Sequence, residues 1–188
     1  MQAIQPIIVA AHPLELEGLF GGIPIGIGLV EAALGIARVL EKKPPAIVLV
    51  GGCGAYPGST LQIGEIVLGE EMVLAPEGEL PEIVATRSRP ELFEVSARRV
   101  IVASTLGITT DDGRASILRR ETNADVENLE AFAVARACEL ARIPVAILLG
   151  VTNGVGKNGR AEWRANAKRV AALVNAALRN RSTPRSPA

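Results

Sequence analysis

Glu15 stands four residues beyond the apolar run Ile7 to Ala11, in the string Ala11-His12-Pro13-Leu14-Glu15. A carboxylate placed there and partly buried has its pKa raised by desolvation and can act as a general base, although alone it reads more readily as a solvated loop acid. Glu130 opens the Ala-rich stretch AFAVARAC, too apolar for a surface helix. At the start of a buried helix its charge is stabilised by the helix dipole, and it has the geometry to accept two hydrogen bonds from a vicinal diol. Asn153 follows the apolar run Val145 to Val151, in Thr152-Asn153-Gly154-Val155-Gly156. By itself an Asn before Gly is turn chemistry.

Gly51-Gly52-Cys53-Gly54 directly follows the run Ala46 to Val50. Glycines there permit a tight turn or the close approach of a ligand to backbone N–H groups, and the two readings stand level. Cys53 as a nucleophile needs a histidine, and the only one is His12. Small buried cysteines are the commoner case. Gly26-Ile27-Gly28 carries two of the three glycines of a dinucleotide fingerprint, but Glu31 occupies the third position. A P-loop motif is absent, and no Cys/His cluster suggests a metal.

The elements that must hold these residues alternate along the chain. Strands are expected over Ile7 to Ala11, Ile23 to Gly28 (with Pro24 near an edge), Ala46 to Val50, Val100 to Ser104 and Val145 to Val151. Two further strand segments, Ile63 to Leu68 and Met72 to Ala75, flank Gly69-Glu70-Glu71, and Pro76 to Pro90 reads as a surface loop. One helix should bury Val30, Ala33, Leu34, Ala37 and Leu40 and stop at Lys42-Lys43-Pro44-Pro45. Another starts near Thr110-Asp111-Asp112, and a third runs from about Glu130 to Ala141. The last, from about Arg160 to Leu178, places Trp163, Ala167, Val170, Ala171, Val174 and Leu178 on one face. This alternation implies an α/β layered fold with a largely parallel sheet and ligands at the strand ends.

Composition narrows the class. The chain has 188 residues, 48% of them apolar but only 3% aromatic, which suits one core of Ala, Val, Ile and Leu around a buried sheet. A single domain over residues 1–180 with a disordered tail at 181–188 is expected. Lys plus Arg and Asp plus Glu number 20 each, so the electrostatic excess that nucleic acids or anionic membranes attract is missing. Two cysteines make no disulfide framework, and nothing resembles a targeting segment or a membrane span. The expectation is a soluble cytoplasmic protein without a cofactor.

Several of these pieces together resemble one family. Leu129-Glu130-Ala131 through Ala135, then Ile143-Pro144-Val145 and Val151-Thr152-Asn153, resemble a signature of the purine nucleosidases and phosphorylases, methylthioadenosine/S-adenosylhomocysteine nucleosidases included. Gly51-Gly52-Cys53-Gly54-Ala55-Tyr56, Gly64-Glu65-Ile66-Val67 and Ala10-Ala11 with Glu15 extend the likeness over most of residues 4–178. Within the superfamily, Glu127-Asn128-Leu129-Glu130, Gly54 to Ser59, and Thr152 to Gly156 with Arg160 and Trp163 resemble the futalosine hydrolases.

The resemblance implies a three-layer α/β/α fold with a central mixed, largely parallel sheet. It implies hydrolysis of a purine nucleoside, futalosine to hypoxanthine and dehypoxanthine futalosine in menaquinone biosynthesis, by a homo-oligomer. A methylthioadenosine/S-adenosylhomocysteine nucleosidase and a non-catalytic nucleoside-binding paralogue are the alternatives. Glu15 would then direct the water, Glu130 would hold the ribose hydroxyls, and Asn153 would hydrogen-bond the departing base. Ala11, Gly52, Cys53, Gly54, Ile108, Asn128 and Leu129 would line the substrate. Asn153 suits the acceptors of a 6-oxopurine better than the amino donor of adenine. Leu49 and Gly52 stand where related phosphorylases carry Arg and Ser for phosphate, which favours water. Two departures accompany the likeness: only about ten residues separate Glu15 from the Ile23 strand, and Gly107-Ile108 replaces the aromatic that stacks on the base.

Overall fold

The computed structural model describes residues 5–75, 84–90 and 95–180. Within them lie β1 (Ile7–Ala10), β2 (Ile23–Pro24), α1 (Leu29–Leu40), β3 (Ile47–Ala55), β4 (Ile66–Leu74), β5 (Ala85–Arg87) and β6 (Arg98–Ser104). They are followed by α2 (Asp112–Thr122), β7 (Val126–Glu127), α3 (Ala131–Ala141), β8 (Val145–Gly154) and α4 (Gly159–Arg179). A single 3-10 turn, Pro13–Leu16, follows β1.

β3 is the hub of a mixed sheet. Its first half pairs parallel with β1 on one side, its whole length pairs parallel with β8 on the other, and its last two residues pair antiparallel with β7. β8 pairs antiparallel with β4, β4 parallel with β6, and β6 parallel with β7, so these five strands close into a ring. β1 and β2 extend the sheet from β3, and β5 extends it from β4.

Strand alternation then sorts the core. Ile47, Leu49, Ile147 and Leu149 turn to one face, where α1 and α3 cover them with Ile36, Val39, Val134 and Cys138. Val48, Val50, Ala146 and Leu148 turn to the other, against Val170, Val174 and Leu178 of α4. Each such fully buried aliphatic side chain contributes about 1.5–3 kcal/mol relative to exposure. The layers are therefore helix, sheet and helix, as the sequence implies.

Local physics changes some boundaries. Gly51 to Ala55, placed above after the strand as a turn or a ligand approach, continues β3: β8 pairs with it throughout, and β7 adds pairing on the other side at Gly54 and Ala55. β4 passes unbroken through Gly69-Glu70-Glu71 by means of a register shift. β2 is only two residues long, on the edge that Pro24 permits. β5 lies inside the stretch read as a surface loop; the rest of that loop over 76–83, and the tail at 181–188, fall outside the described residues.

The largest correction concerns α1. Its buried side is Ala32, Ile36 and Val39, while Val30 and Leu34 are 63% and 56% exposed. Gly35 decides this: its missing side chain lets the helix lie directly on the Ile25 carbonyl, where any Cβ would collide. Among the described residues no helix is long and apolar enough to cross a membrane.

Candidate active site

The turn after β1 positions Glu15. His12 caps it, accepting the Leu14 amide on Nδ1 at 3.1 Å, while the His12 amide donates back to Glu15 Oε2 at 3.1 Å. Glu15 Oε1 accepts the Gly52 amide of β3, also at 3.1 Å. A second clamp comes from behind. Asn175 of α4, 1% exposed, donates from Nδ2 to the carbonyls of Glu15 and Glu17, both at 2.9 Å. The carboxylate is thus fixed on both oxygens, and burial raises its pKa against the pull of these amides.

Glu130 sits at the start of α3. Asn128 prepares that start: its Oδ1 accepts the amides of Glu130 and Ala131 at 3.0 and 2.8 Å. The Phe132 amide donates to Ser104 Oγ at 3.0 Å. With these amides satisfied, the Glu130 side chain is free to turn into the cavity, where Oε1 accepts the Gly28 amide at 2.7 Å. Gly28 has φ of +87°, so it presents its N–H in a conformation that side chains disfavour. Burial, and then the nearby charge of Glu15, push Glu130 up to about 7 despite the helix start. The dipole contribution anticipated above is outweighed.

Gly52 links the two acids. Its amide holds Glu15, and its carbonyl accepts Asn128 Nδ2 at 2.9 Å. Gly54 leaves room for Asn153, whose Nδ2 would lie 2.9 Å from a Cβ at that position. Asn153 is held at the end of β8, with Oδ1 accepting from Thr152 Oγ1 at 2.7 Å and Nδ2 donating to the Gly154 carbonyl at 2.9 Å. One amide N–H stays available for a ligand acceptor.

These side chains surround a cavity of about 410 Å³. Ala11, Glu15, Gly52, Cys53, Gly54, Ile108, Asn128, Leu129, Glu130 and Asn153 all line it, so the structure gathers every residue singled out from the sequence. The Cys–His pair is not formed as a catalytic unit: His12 spends its ring on the cap, and burial pushes the Cys53 thiol up, away from thiolate. Leu49 is 1% exposed in the core, and the cations on the cavity wall are Arg160 and Arg164 of α4. Trp163, assigned above to the core face of α4, is 47% exposed and lines the cavity instead.

Sequence reasoning missed three participants. Asn175 was detectable as the one polar residue inside the apolar stripe Val170, Ala171, Val174 and Leu178. Gly28 was read only as part of an incomplete dinucleotide motif. Glu127, 7% exposed, accepts from the Thr109 amide at 3.1 Å, from Thr109 Oγ1 at 2.6 Å and from Tyr56 OH at 3.1 Å, holding the Ile108 loop against the cavity.

Two acids on one wall of a cavity, one held by backbone amides and one at a helix start, can direct a water and stabilise a cationic sugar on the same ligand. The family model described as the phosphorylase superfamily matches residues 5–180. The futalosine hydrolase of Thermus thermophilus is 33% identical over 177 residues, covering 82% of this chain and 77% of that protein. Among solved structures, the futalosine hydrolase of Helicobacter pylori superposes with a TM-score of 0.82 at 16% identity, over 94% of this chain and 96% of that one. The 5'-methylthioadenosine/S-adenosylhomocysteine nucleosidase of the same organism, as a D198N mutant holding 5'-methylthioadenosine, gives 0.84 at 16% identity over 95% and 97%.

Proposed function

Because the chain belongs to the phosphorylase superfamily, we propose that it hydrolyses the N-glycosidic bond of a purine nucleoside, with futalosine as substrate. The observation that carries this reading is the pairing of Glu15 and Glu130 through Gly52 and Asn128 on one cavity wall. Ionised Glu15 takes a proton from the attacking water. Glu130 accepts the ribose hydroxyls on the oxygen that Gly28 leaves free and opposes the positive charge that develops on the sugar. Asn153 donates to the leaving base, which favours the acceptors of hypoxanthine.

Water as nucleophile is supported by the surroundings of Glu15, whose carboxylate oxygens are held by the backbone amides of His12 and Gly52. Menaquinone biosynthesis and a cytoplasmic location belong to the same proposal. The homo-oligomer also belongs to it: the exposed stripe Val30, Ala33, Leu34 and Ala37 begins one turn beyond Ile27, which lines the cavity. A second copy of the chain laid on that stripe would bury it and flank the site.

The deciding experiment is a panel of purine nucleosides, incubated with and without phosphate and scored for free base by chromatography. Hypoxanthine from futalosine without phosphate is expected. Adenine from methylthioadenosine, with futalosine left intact, would replace the substrate, and binding without base release would replace the enzyme by a receptor.

A further inference from the structure

The chain has two Asn-Gly steps, Asn153-Gly154 and Asn158-Gly159, and both lie where β8 passes into α4. Asn before Gly is the step most prone to lose its amide in water, because glycine puts no side chain in the way of the attack. The Gly nitrogen bonds to the Asn Cγ, the Cγ–Nδ2 bond breaks, and ammonia leaves with the proton that the nitrogen gave up. Water then opens the cyclic imide. Opening at Cγ leaves aspartate, and opening at the main-chain carbonyl leaves isoaspartate, whose backbone is one carbon longer.

The two steps are held differently. Around Asn153 each group that the reaction must move is already bonded. Its Oδ1 accepts from Thr152 Oγ1 at 2.7 Å, and its Nδ2 donates to the Gly154 carbonyl at 2.9 Å. The attacking nitrogen, that of Gly154, donates to Glu162 Oε2 at 2.8 Å. Glu162 stands in the first turn of α4 and reaches back to make this bond. Its charge also opposes loss of the Gly154 proton, since the amide anion would form beside a carboxylate. Burial does not supply this protection, because Gly154 is exposed. Asn158 is exposed too, and its carboxamide forms no hydrogen bond among the described residues. The nitrogen that would attack it, that of Gly159, donates to a neutral group, the Gly156 carbonyl, at 3.0 Å.

We propose that Glu162 guards Asn153 against deamidation, so that spontaneous ageing of this segment falls on Asn158. The guard is backbone chemistry. Its consequence for catalysis rests on the nucleoside reading above: aspartate at position 153 would lose the N–H that is offered to the leaving base.

Lys157 lies between the two steps, so trypsin places them in separate peptides. Purified protein is held for days in mildly alkaline buffer and digested, and each peptide is followed by mass spectrometry for conversion of amide to acid. Conversion at Asn158 with Asn153 intact is expected. A synthetic peptide spanning residues 150–164, which has the sequence without the fold, should convert at both steps at similar rates. In the folded Glu162→Ala variant, Asn153 should convert about tenfold faster than in the wild type while Asn158 keeps its rate. Glu162→Gln, which retains an acceptor without the charge, should fall between them. With ageing, the Glu162→Ala protein should also release adenine in a rising ratio to hypoxanthine.

Equal conversion of the two asparagines in the folded wild type overturns the guard, as does an Asn153 rate that Glu162→Ala leaves unchanged. Acceleration of both steps together in that variant overturns it as well, by assigning Glu162 to the general stability of the helix start. The expected mass pattern without release of any base supports the guard and refutes the nucleoside reading.

Discussion

Replacing Glu130 by Gln should make the protein more stable at alkaline pH while making it a worse catalyst. In the unfolded chain the Glu130 carboxyl titrates near its ordinary 4.5, and in the folded chain at about 7. Below 4.5 it is neutral in both states and costs nothing. Between these values the unfolded chain has released the proton and the folded chain still holds it, so stability falls as pH rises. Above about 7 the folded group ionises as well and the full cost stands. At about 1.4 kcal/mol per tenfold change in proton affinity, the move from 4.5 to about 7 amounts to about 3 kcal/mol. Gln keeps an oxygen for the Gly28 amide and carries no charge to desolvate or to set against Glu15. Its advantage over the wild type should therefore grow by about 3 kcal/mol between about pH 4.5 and about pH 8. For a chain of this size that is roughly 6–12 °C in the difference of melting temperatures. Paired thermal melts of wild type and variant across this range measure it, with other pH effects cancelling. A difference that does not change with pH would show that Glu130 pays no desolvation cost, and the account of the site would fail. On the functional side, losing the charge opposite the sugar cation should lower kcat/KM by about 10²–10³.

Four further outcomes are expected. Glu15→Gln should lower base release by about 10²–10⁴, and the wild-type rate should rise with pH through a carboxylate value above the ordinary range; an unchanged rate in the variant would remove Glu15 from the chemistry. Asn175→Ala should lower kcat and lift the clamp on the Glu15 turn, visible as faster amide exchange over residues 13–17; Asn175→Asp, which retains only acceptors, should not restore it. Asn128→Ala leaves the Glu130 and Ala131 amides unpaired and should cost about 0.5–2 kcal/mol in denaturant titration. Asn153→Asp should shift the preference among leaving bases from hypoxanthine towards adenine, read as the ratio of kcat/KM on the two nucleoside types.

Strand and helix placement was legible where apolar runs are long and bounded, as in β3, β8 and α3. The three polar residues to which the proposal gives the chemistry were legible as candidates because they stand beside apolar runs, Glu15 after β1, Glu130 at the start of α3 and Asn153 near the end of β8. What the sequence concealed has specific causes. α1 is apolar on two sides, and periodicity cannot choose between the stripe of Val30 and Leu34 and the stripe of Ala32 and Ile36; Gly35 chooses, through contact with a carbonyl distant in the pattern. Gly51 to Gly54 left a turn and a ligand approach level, because glycine marks both, yet here it lets Glu15 and Thr152 crowd a strand. β7 is two residues long and has no period to detect. Trp163 satisfied a helical stripe by hydrophobicity alone, although the stripe opens on a cavity at that end.

The peptide groups around Gly52 bind one acid through N–H and the cap of the other acid through C=O, at the point of β3 where β8 pairs on one side and the other side lies open between β1 and β7. The spacing of the two acids is thus tied to the central strand of the sheet. The remaining cavity-lining residues, on α4 and around Ile108, sit on separate elements. Such a division makes substrate choice cheap to alter in evolution: α4 can trade arginines and an aromatic for other side chains while the spacing of the acids stays as the sheet dictates. The same division recommends α4 as the element to vary when new nucleoside specificities are sought on this scaffold.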